Sequence, residues 1–150
     1  MLVKRPNEVI KVTFDFTRAL EVTWRAGTEY SIGQYVRPTS PNGVEYECTA
    51  AGQSGKREPL WVGVSSTVSD GIGELVWTGR SFGDNATDTI QSRTVTASSG
   101  LTVANDQIAG ETVEADISGG GDGSCYEVVC QIVTVNGETL ELEEKVKVED

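Results

Sequence analysis

The chain has 150 residues, a net charge of −11 and no histidine. The missing imidazole removes Ser-His-Asp and Cys-His catalysis, histidine general bases and histidine-ligated zinc. No apolar run approaches the about 18 residues a membrane span needs, and the opening MLVKRPNEVI has no apolar stretch of the kind a secretory signal uses.

Strand periodicity runs through nearly the whole chain. Residues 9–16 alternate, with Ile10, Val12, Phe14 and Phe16 on one face. Thr17-Arg18-Ala19-Leu20 offers material for a single helical turn. Residues 44–48 and 89–96 alternate again, and Ser98, Ser99 and Gly100 punctuate two strands. Residues 111–117 direct Val113, Ala115 and Ile117 inward and charge outward. Ser118-Gly119-Gly120-Gly121-Asp122-Gly123 lies between two strands. A phosphate loop would need a helix and a Lys-Ser/Thr after such glycines; a strand follows, which predicts a tight positive-φ crossing. Tyr126, Val128, Cys130 and Ile132 then share a face. Asn136-Gly137 predicts a type I′ turn, and Leu140, Leu142, Val146 and Val148 return, giving a hairpin over residues 124–148. Short strands with regular turn signals predict an all-β fold of β-sandwich type.

The three cysteines, Cys48, Cys125 and Cys130, are an odd count without a secretory signal. They are expected to be reduced and mostly packed as small hydrophobes. Within one strand Cys125 and Cys130 would lie about 16 Å apart on opposite faces, too far to bridge.

Residues 22–82 have a different texture. They hold all three Trp, three of the four Tyr and three of the four Pro. They carry five Lys/Arg and six Asp/Glu, against seven and seventeen elsewhere, so nearly all the negative charge belongs to the remainder. Turn clusters are dense, at residues 38–43 and 51–55. This pattern predicts a small module of short strands whose mini-core is Trp24, Tyr46, Trp61 and Trp77, marginal by itself and helped by anchoring at both ends. Tyr30 and Tyr35 are the better candidates for exposure.

Two resemblances follow from these residues. Trp24, Tyr30-x-x-Gly33-x-x-Val36, Tyr46-x-Cys48-x-Ala50 and Pro59-x-Trp61 resemble the small chitin-binding-type carbohydrate modules, and the form closed by Asp70-Gly71 and Trp77 looks like a version found in phage structural proteins. That resemblance implies aromatic rings stacked on sugar, with Tyr30, Tyr35 and Trp61 as the glycan or partner contacts. The second resemblance lies on either side of the first. Lys4-x-Pro6-x-Glu8 and Phe14-Asp15-Phe16-Thr17-Arg18-Ala19-Leu20, then Asp88-Thr89-Ile90, Gly100-Leu101-Thr102-Val103, Val113-x-Ala115-x-Ile117, Tyr126-Glu127-Val128 and Val133-Thr134-x-Asn136-Gly137, are similar in order to the fibre-tail adaptor proteins of tailed bacteriophages. The family's short connection before Asp-Thr-Ile is here a long one, too long for an unstructured loop. The expected organisation is therefore an immunoglobulin-like β-sandwich from residues 1–21 and 83–150, with residues 22–82 inserted as a carbohydrate-module-like β domain.

No chemistry-bearing constellation emerges. Glu141, Glu143 and Glu144 stand with Lys145 and Lys147 on an exposed strand, and Asp84, Asp88 and Asp122 do not form a calcium-loop pattern. No catalytic, cofactor or metal site is expected. The acidic body disfavours nucleic acid and suits docking on a basic protein surface. The resemblance implies a virion protein, assembled in the host cytoplasm. It would bridge a neck or tail ring to fibres or neighbouring subunits, in cyclic copies, with residues 1–7 free to join a neighbour's sheet. A glycan-binding accessory domain and a capsid decoration protein are the competing expectations.

Overall fold

The computed structural model describes residues 1–150, which form thirteen strands and no helix. The chain divides into two compact units, one made of Met1–Leu20 with Asp88–Asp150, the other of Glu21–Thr87.

The first unit is a two-sheet sandwich. Its strands are β1 (Leu2–Lys4), β2 (Ile10–Asp15), β9 (Ile90–Ala97), β10 (Leu101–Ala109), β11 (Thr112–Gly119), β12 (Cys125–Thr134) and β13 (Thr139–Val148). One sheet has the order β1-β13-β12-β9 and the other β10-β11-β2. Assigning consecutive strands to sheets in this way is the layout of an immunoglobulin-like sandwich. The period-two faces supply its core. Val113, Ala115 and Ile117 stand opposite Phe14, Val12 and Ile10, so β11 and β2 place their apolar residues on one side in register. Val128, Cys130, Ile132 and Val146 meet them from the facing sheet, with Phe16, Leu20 and Ile90 at one end.

Local devices fix the connections. Asp15 accepts the backbone N–H of Thr17 at 2.9 Å, and Leu20 N–H returns to Phe16 C=O at 2.9 Å, closing the expected single turn. Asp88 N–H then donates to Leu20 C=O at 2.8 Å, so the strand leaving this unit and the strand re-entering it lie side by side. Arg93 of β9 reaches Asp106 of β10 twice, through the carboxylate at 3.0 Å and the carbonyl at 2.9 Å. The glycine crossing has positive φ at Gly119, Gly120 and Gly123. A Cβ at Gly120 would stand 2.7 Å from a Val148 methyl, so only glycine fits there.

Two expectations are corrected in this unit. The turn at Asn136-Gly137 is not type I′, which needs positive φ at both central residues. Only Gly137 has it, at +84°, while its N–H closes on Thr134 C=O at 2.9 Å. The loop is thus one residue longer, with Gly137 as its left-handed closing residue. The N-terminal arm is not free either. Leu2, Val3 and Lys4 pair in parallel with Val146, Lys147 and Val148. Lys4 is buried, and its ammonium donates to Arg5 C=O and Gly119 C=O, both at 2.7 Å. Those bonds make it possible to bury a lysine inside the sheet end.

The second unit contains β3 (Glu29–Tyr30), β4 (Tyr35–Val36), β5 (Val44–Ala50), β6 (Gly52–Gln53), β7 (Thr67–Asp70) and β8 (Leu75–Ser81). They make a four-stranded sheet, β4-β5-β8-β7, and a two-stranded ribbon, β3-β6. The unit runs past Phe82 because its ends are tied to each other: Val22 N–H donates to Ala86 C=O at 3.0 Å, and Glu21 bridges Thr87. β3, β4 and β6 have only two residues each, so side-chain clamps add to the backbone pairing that holds them.

Candidate functional site

The aromatic residues singled out in the sequence all lie in the second unit. Trp24, Tyr30, Tyr46 and Trp77 form one buried cluster with Val36, Cys48 and Leu75, and Trp61 packs against it half-buried. The Tyr30 ring meets Trp77 edge-on at 4.8 Å and 71°, Tyr46 lies against Trp61 at 4.3 Å and 32°, and Trp61 meets Trp77 at 6.1 Å. Edge and tilted contacts of this kind are how aromatic rings pack against one another.

The expected exposure of Tyr30 is corrected: it is 8% exposed. Its hydroxyl accepts the N–H of Arg25 at 3.0 Å, which satisfies the polar end and lets the ring turn inward. Burial raises its pKa above the ordinary phenol value. Tyr35, on β4, is half-buried, and burial together with the neighbouring Glu47 carboxylate raises its pKa as well. Of the three expected contact residues, Tyr35 and Trp61 keep part of their surface.

Two carboxylates hold this arrangement. Asp70 is buried, and one of its oxygens accepts the indole N–H of Trp24 at 2.8 Å and that of Trp77 at 3.0 Å. The other accepts Gly55 N–H at 3.0 Å and Gly71 N–H at 2.7 Å. Burial pushes its pKa up, but the hydrogen bonds from Gly55, Trp77, Trp24 and Gly71 outweigh it, and the carboxyl lies below its usual value. Gly71 has φ +62°, and a Cβ there would meet Gln53 C=O at 2.2 Å, so the clamp requires glycine. Glu58 holds the other side. It accepts the indole N–H of Trp61 at 2.9 Å and Thr39 N–H at 2.8 Å, with the Thr39 hydroxyl on its second oxygen. Here too burial raises the pKa, but the bonds from Thr39 and Trp61 outweigh it, for a net depression. Tyr46 completes the set by donating its hydroxyl to Val62 C=O while accepting from Asn42 at 2.9 Å.

A separate charge cluster joins the ends of the unit. Arg37 contacts Glu21 at 3.1 Å and Glu45 at 3.8 Å, and its guanidinium lies 4.9 Å from the Phe82 ring centre. Glu45 is wholly buried, and neither of its oxygens accepts a hydrogen bond. Reading residues one by one did not reveal the roles of Asp70, Glu58 and Arg37. The only local signals were the Asp70-Gly71 turn dipeptide and the three-residue spacing from Glu58 to Trp61. Asp70 and Glu58 hold indole and backbone N–H groups of the unit, and Arg37 pairs with Glu21 and Glu45.

The sandwich carries an acidic strand outside these clusters. Its strand β13 is lined by Glu141, Glu143 and Glu144. The cysteines are all free, with Cys48 and Cys130 buried and Cys125 exposed.

Residues 75–147 match a family model described as the podophage GP4 fiber-tail adaptor protein gp77. The match spans just under half of the chain, from β8 to near the end of β13, and takes in β9 to β12 whole and β13 except its last residue. The opening residues 4–20, part of the resemblance noted above, lie outside it. No curated protein matches the chain. The matched half is similar to a structural component of a phage tail, and nothing in the comparisons supports the likeness of residues 22–82 to chitin-binding modules.

Proposed function

We propose that this chain is a non-enzymatic structural protein of a tailed-bacteriophage particle, an adaptor that joins the tail or neck to fibres or to neighbouring subunits. The observation that carries this reading is the family match over residues 75–147, because those residues build most of the sandwich. The physical features agree with a passive, surface-mediated role. Asp70 and Glu58 of the second unit are occupied by indole and backbone donors, the net charge of −11 favours basic protein surfaces, and the chain has no histidine for acid–base work. The compact unit Glu21–Thr87 is carried within the sandwich chain as an inserted domain, which would present Tyr35, Trp61 and the exposed Leu60 and Ile72 to a partner. Copies are arranged about the cyclic axis of the particle.

The test is the protein composition of gradient-purified particles, with copy numbers from quantitative mass spectrometry. A fixed, small number of copies per particle supports the adaptor. Hundreds of copies would favour a capsid decoration protein, and absence from particles would overturn the virion reading and bring glycan binding forward.

A further inference from the structure

One backbone edge of the sandwich is open along most of a strand. β1 covers β13 only at Val146, Lys147 and Val148. On its other side β13 pairs with β12 without a shift, from Lys147 opposite Cys125 to Thr139 opposite Val133. The direction of each backbone group follows from two bonds at the strand end. Val148 N–H donates to Ser124 C=O at 2.9 Å, on the β12 side, and Glu149 N–H donates to Lys4 C=O at 3.0 Å, on the β1 side. Even-numbered residues therefore bond toward β12 and odd-numbered residues toward the outer edge. At Thr139, Glu141 and Glu143 those outward N–H and C=O groups face no strand; at Lys145 the N–H is open, while its C=O lies where Leu2, opposite Val146, bonds β13.

Natural sheets guard such an edge with proline, a bulge or charged side chains, lysine above all. Residues 139–145 have no proline, no bulge and one lysine. Their side chains are acidic instead. Glu141 and Glu143 are exposed and make no ion pair, and Glu144 sits 3.7 Å from the amino group of Met1. Exposed Met1, Leu2 and Val3 add an apolar lip where β1 ends the open stretch.

We propose that this edge, residues 139–145 of β13, takes up an extended basic segment of a neighbouring particle protein as an added strand. The proposal rests on the virion-adaptor reading and names the kind of partner it joins. Main-chain hydrogen bonds would provide the affinity. Residues directly opposite across a strand pair share a face, so Lys or Arg at alternate positions of the incoming segment would meet Glu141 and Glu143. A second copy of this chain docking by the same edge would bring the same carboxylates into opposition, which disfavours self-pairing.

Glu143→Pro tests this directly. It deletes one outward N–H and leaves the β12 ladder intact, the setting in which an edge strand tolerates proline. The paired charge reversal, Glu141→Lys with Glu143→Lys, tests the electrostatic part and keeps every backbone donor should the proline variant fail to fold. In assembled particles the amides of Glu141, Glu143 and Lys145 should exchange slowly, whereas in the isolated chain they exchange fast. Each variant, with unchanged thermal stability, should enter particles at least about tenfold less than wild type. Incorporation of both variants at the wild-type level overturns the proposal and leaves the adaptor reading standing. Self-association of the isolated chain that disappears with Glu143→Pro would make the occupant a second copy and overturn the basic partner. Wild type missing from particles overturns the adaptor reading itself, and this partner with it.

Discussion

Trp24 and Trp77 donate their indole N–H groups to the same oxygen of Asp70, at 2.8 and 3.0 Å, although 46 residues separate Trp24 from that acceptor. With Gly55 and Gly71 on the second oxygen, every hydrogen-bonding partner of this carboxylate is a donor. Asp70→Asn replaces one acceptor oxygen by an NH2 group, so two donors face another donor whichever way the amide turns. The expected loss is about 2–4 kcal/mol, the scale of unpairing buried groups that had bonded a charge. Urea unfolding followed by tryptophan emission measures it, because all three Trp belong to Glu21–Thr87. An unchanged midpoint would sink this account of the clamp.

The same clamp sets a pH dependence. Asp70 and Glu58 both have folded pKa values below their unfolded ones, despite burial, because hydrogen bonds to the charged form win. Such groups contribute stability that is fully present above the unfolded values, about 3.9 for Asp and about 4.3 for Glu, and lost as pH falls through the folded ones. The tryptophan-reported unit should therefore hold constant stability at neutral pH and weaken below about pH 4. Urea midpoints from tryptophan emission across an acid series read this out, and Asp70→Asn should flatten the slope. A midpoint independent of pH in that window would contradict the assignment.

Much of the sandwich was legible because its signal is local. The inward residues of β2, β11, β12 and β13 recur at a spacing of two, and those faces are buried or partly buried against the core in the structure. What escaped depends on partners distant in sequence. Lys4 reads as a solvated charge until Gly119 C=O is brought to its ammonium, and Tyr30 reads as exposed until Arg25 N–H satisfies its hydroxyl. Asp70 reads as a turn residue, since its two indole partners come from β8 and from a segment 46 residues upstream. The turn type at Asn136-Gly137 was missed because the dipeptide also suits a loop in which glycine alone takes positive φ.

Lys4 should matter to the sandwich alone. Lys4→Met keeps the stem's volume but leaves Arg5 C=O and Gly119 C=O without their buried donor. The expected cost is about 1–3 kcal/mol. It should appear as a lower far-ultraviolet melting transition for β1 and β13, with the urea midpoint of the tryptophan signal unmoved. A shift of the tryptophan signal by the same amount would mean that the two units unfold as one.

Thiol chemistry gives a further check on packing. Burial pushes the Cys130 thiol up to about 11 and raises that of Cys48, and both side chains are enclosed. A thiol that is both protonated and inaccessible does not attack a disulfide reagent. One fast-reacting thiol is expected in the native chain, Cys125, and all three after unfolding in urea. Cys125→Ser should abolish the fast phase; a fast phase that survives it would mean that one of the enclosed cysteines opens readily.

The buried pair of Arg37 and Glu45 should behave asymmetrically. Their closest approach is 3.8 Å, Glu45 is fully enclosed, and neither carboxylate oxygen accepts a hydrogen bond. Attraction across that distance compensates two desolvated charges poorly, so the pair is a weak source of stability, yet breaking it from one side is costly. Arg37→Ala would strand the Glu45 carboxylate and also release Glu21 and the Phe82 ring, at an expected cost of about 3–5 kcal/mol. Glu45→Gln removes the charge that needs compensation and should cost less. The double variant Arg37→Met with Glu45→Leu, apolar on both sides, should recover most of the loss from Arg37→Ala. A thermodynamic cycle from tryptophan-detected urea unfolding compares these variants. If the double variant is as unstable as Arg37→Ala, the guanidinium's ties to Glu21 and Phe82, not its charge beside Glu45, are what hold the ends of Glu21–Thr87 together.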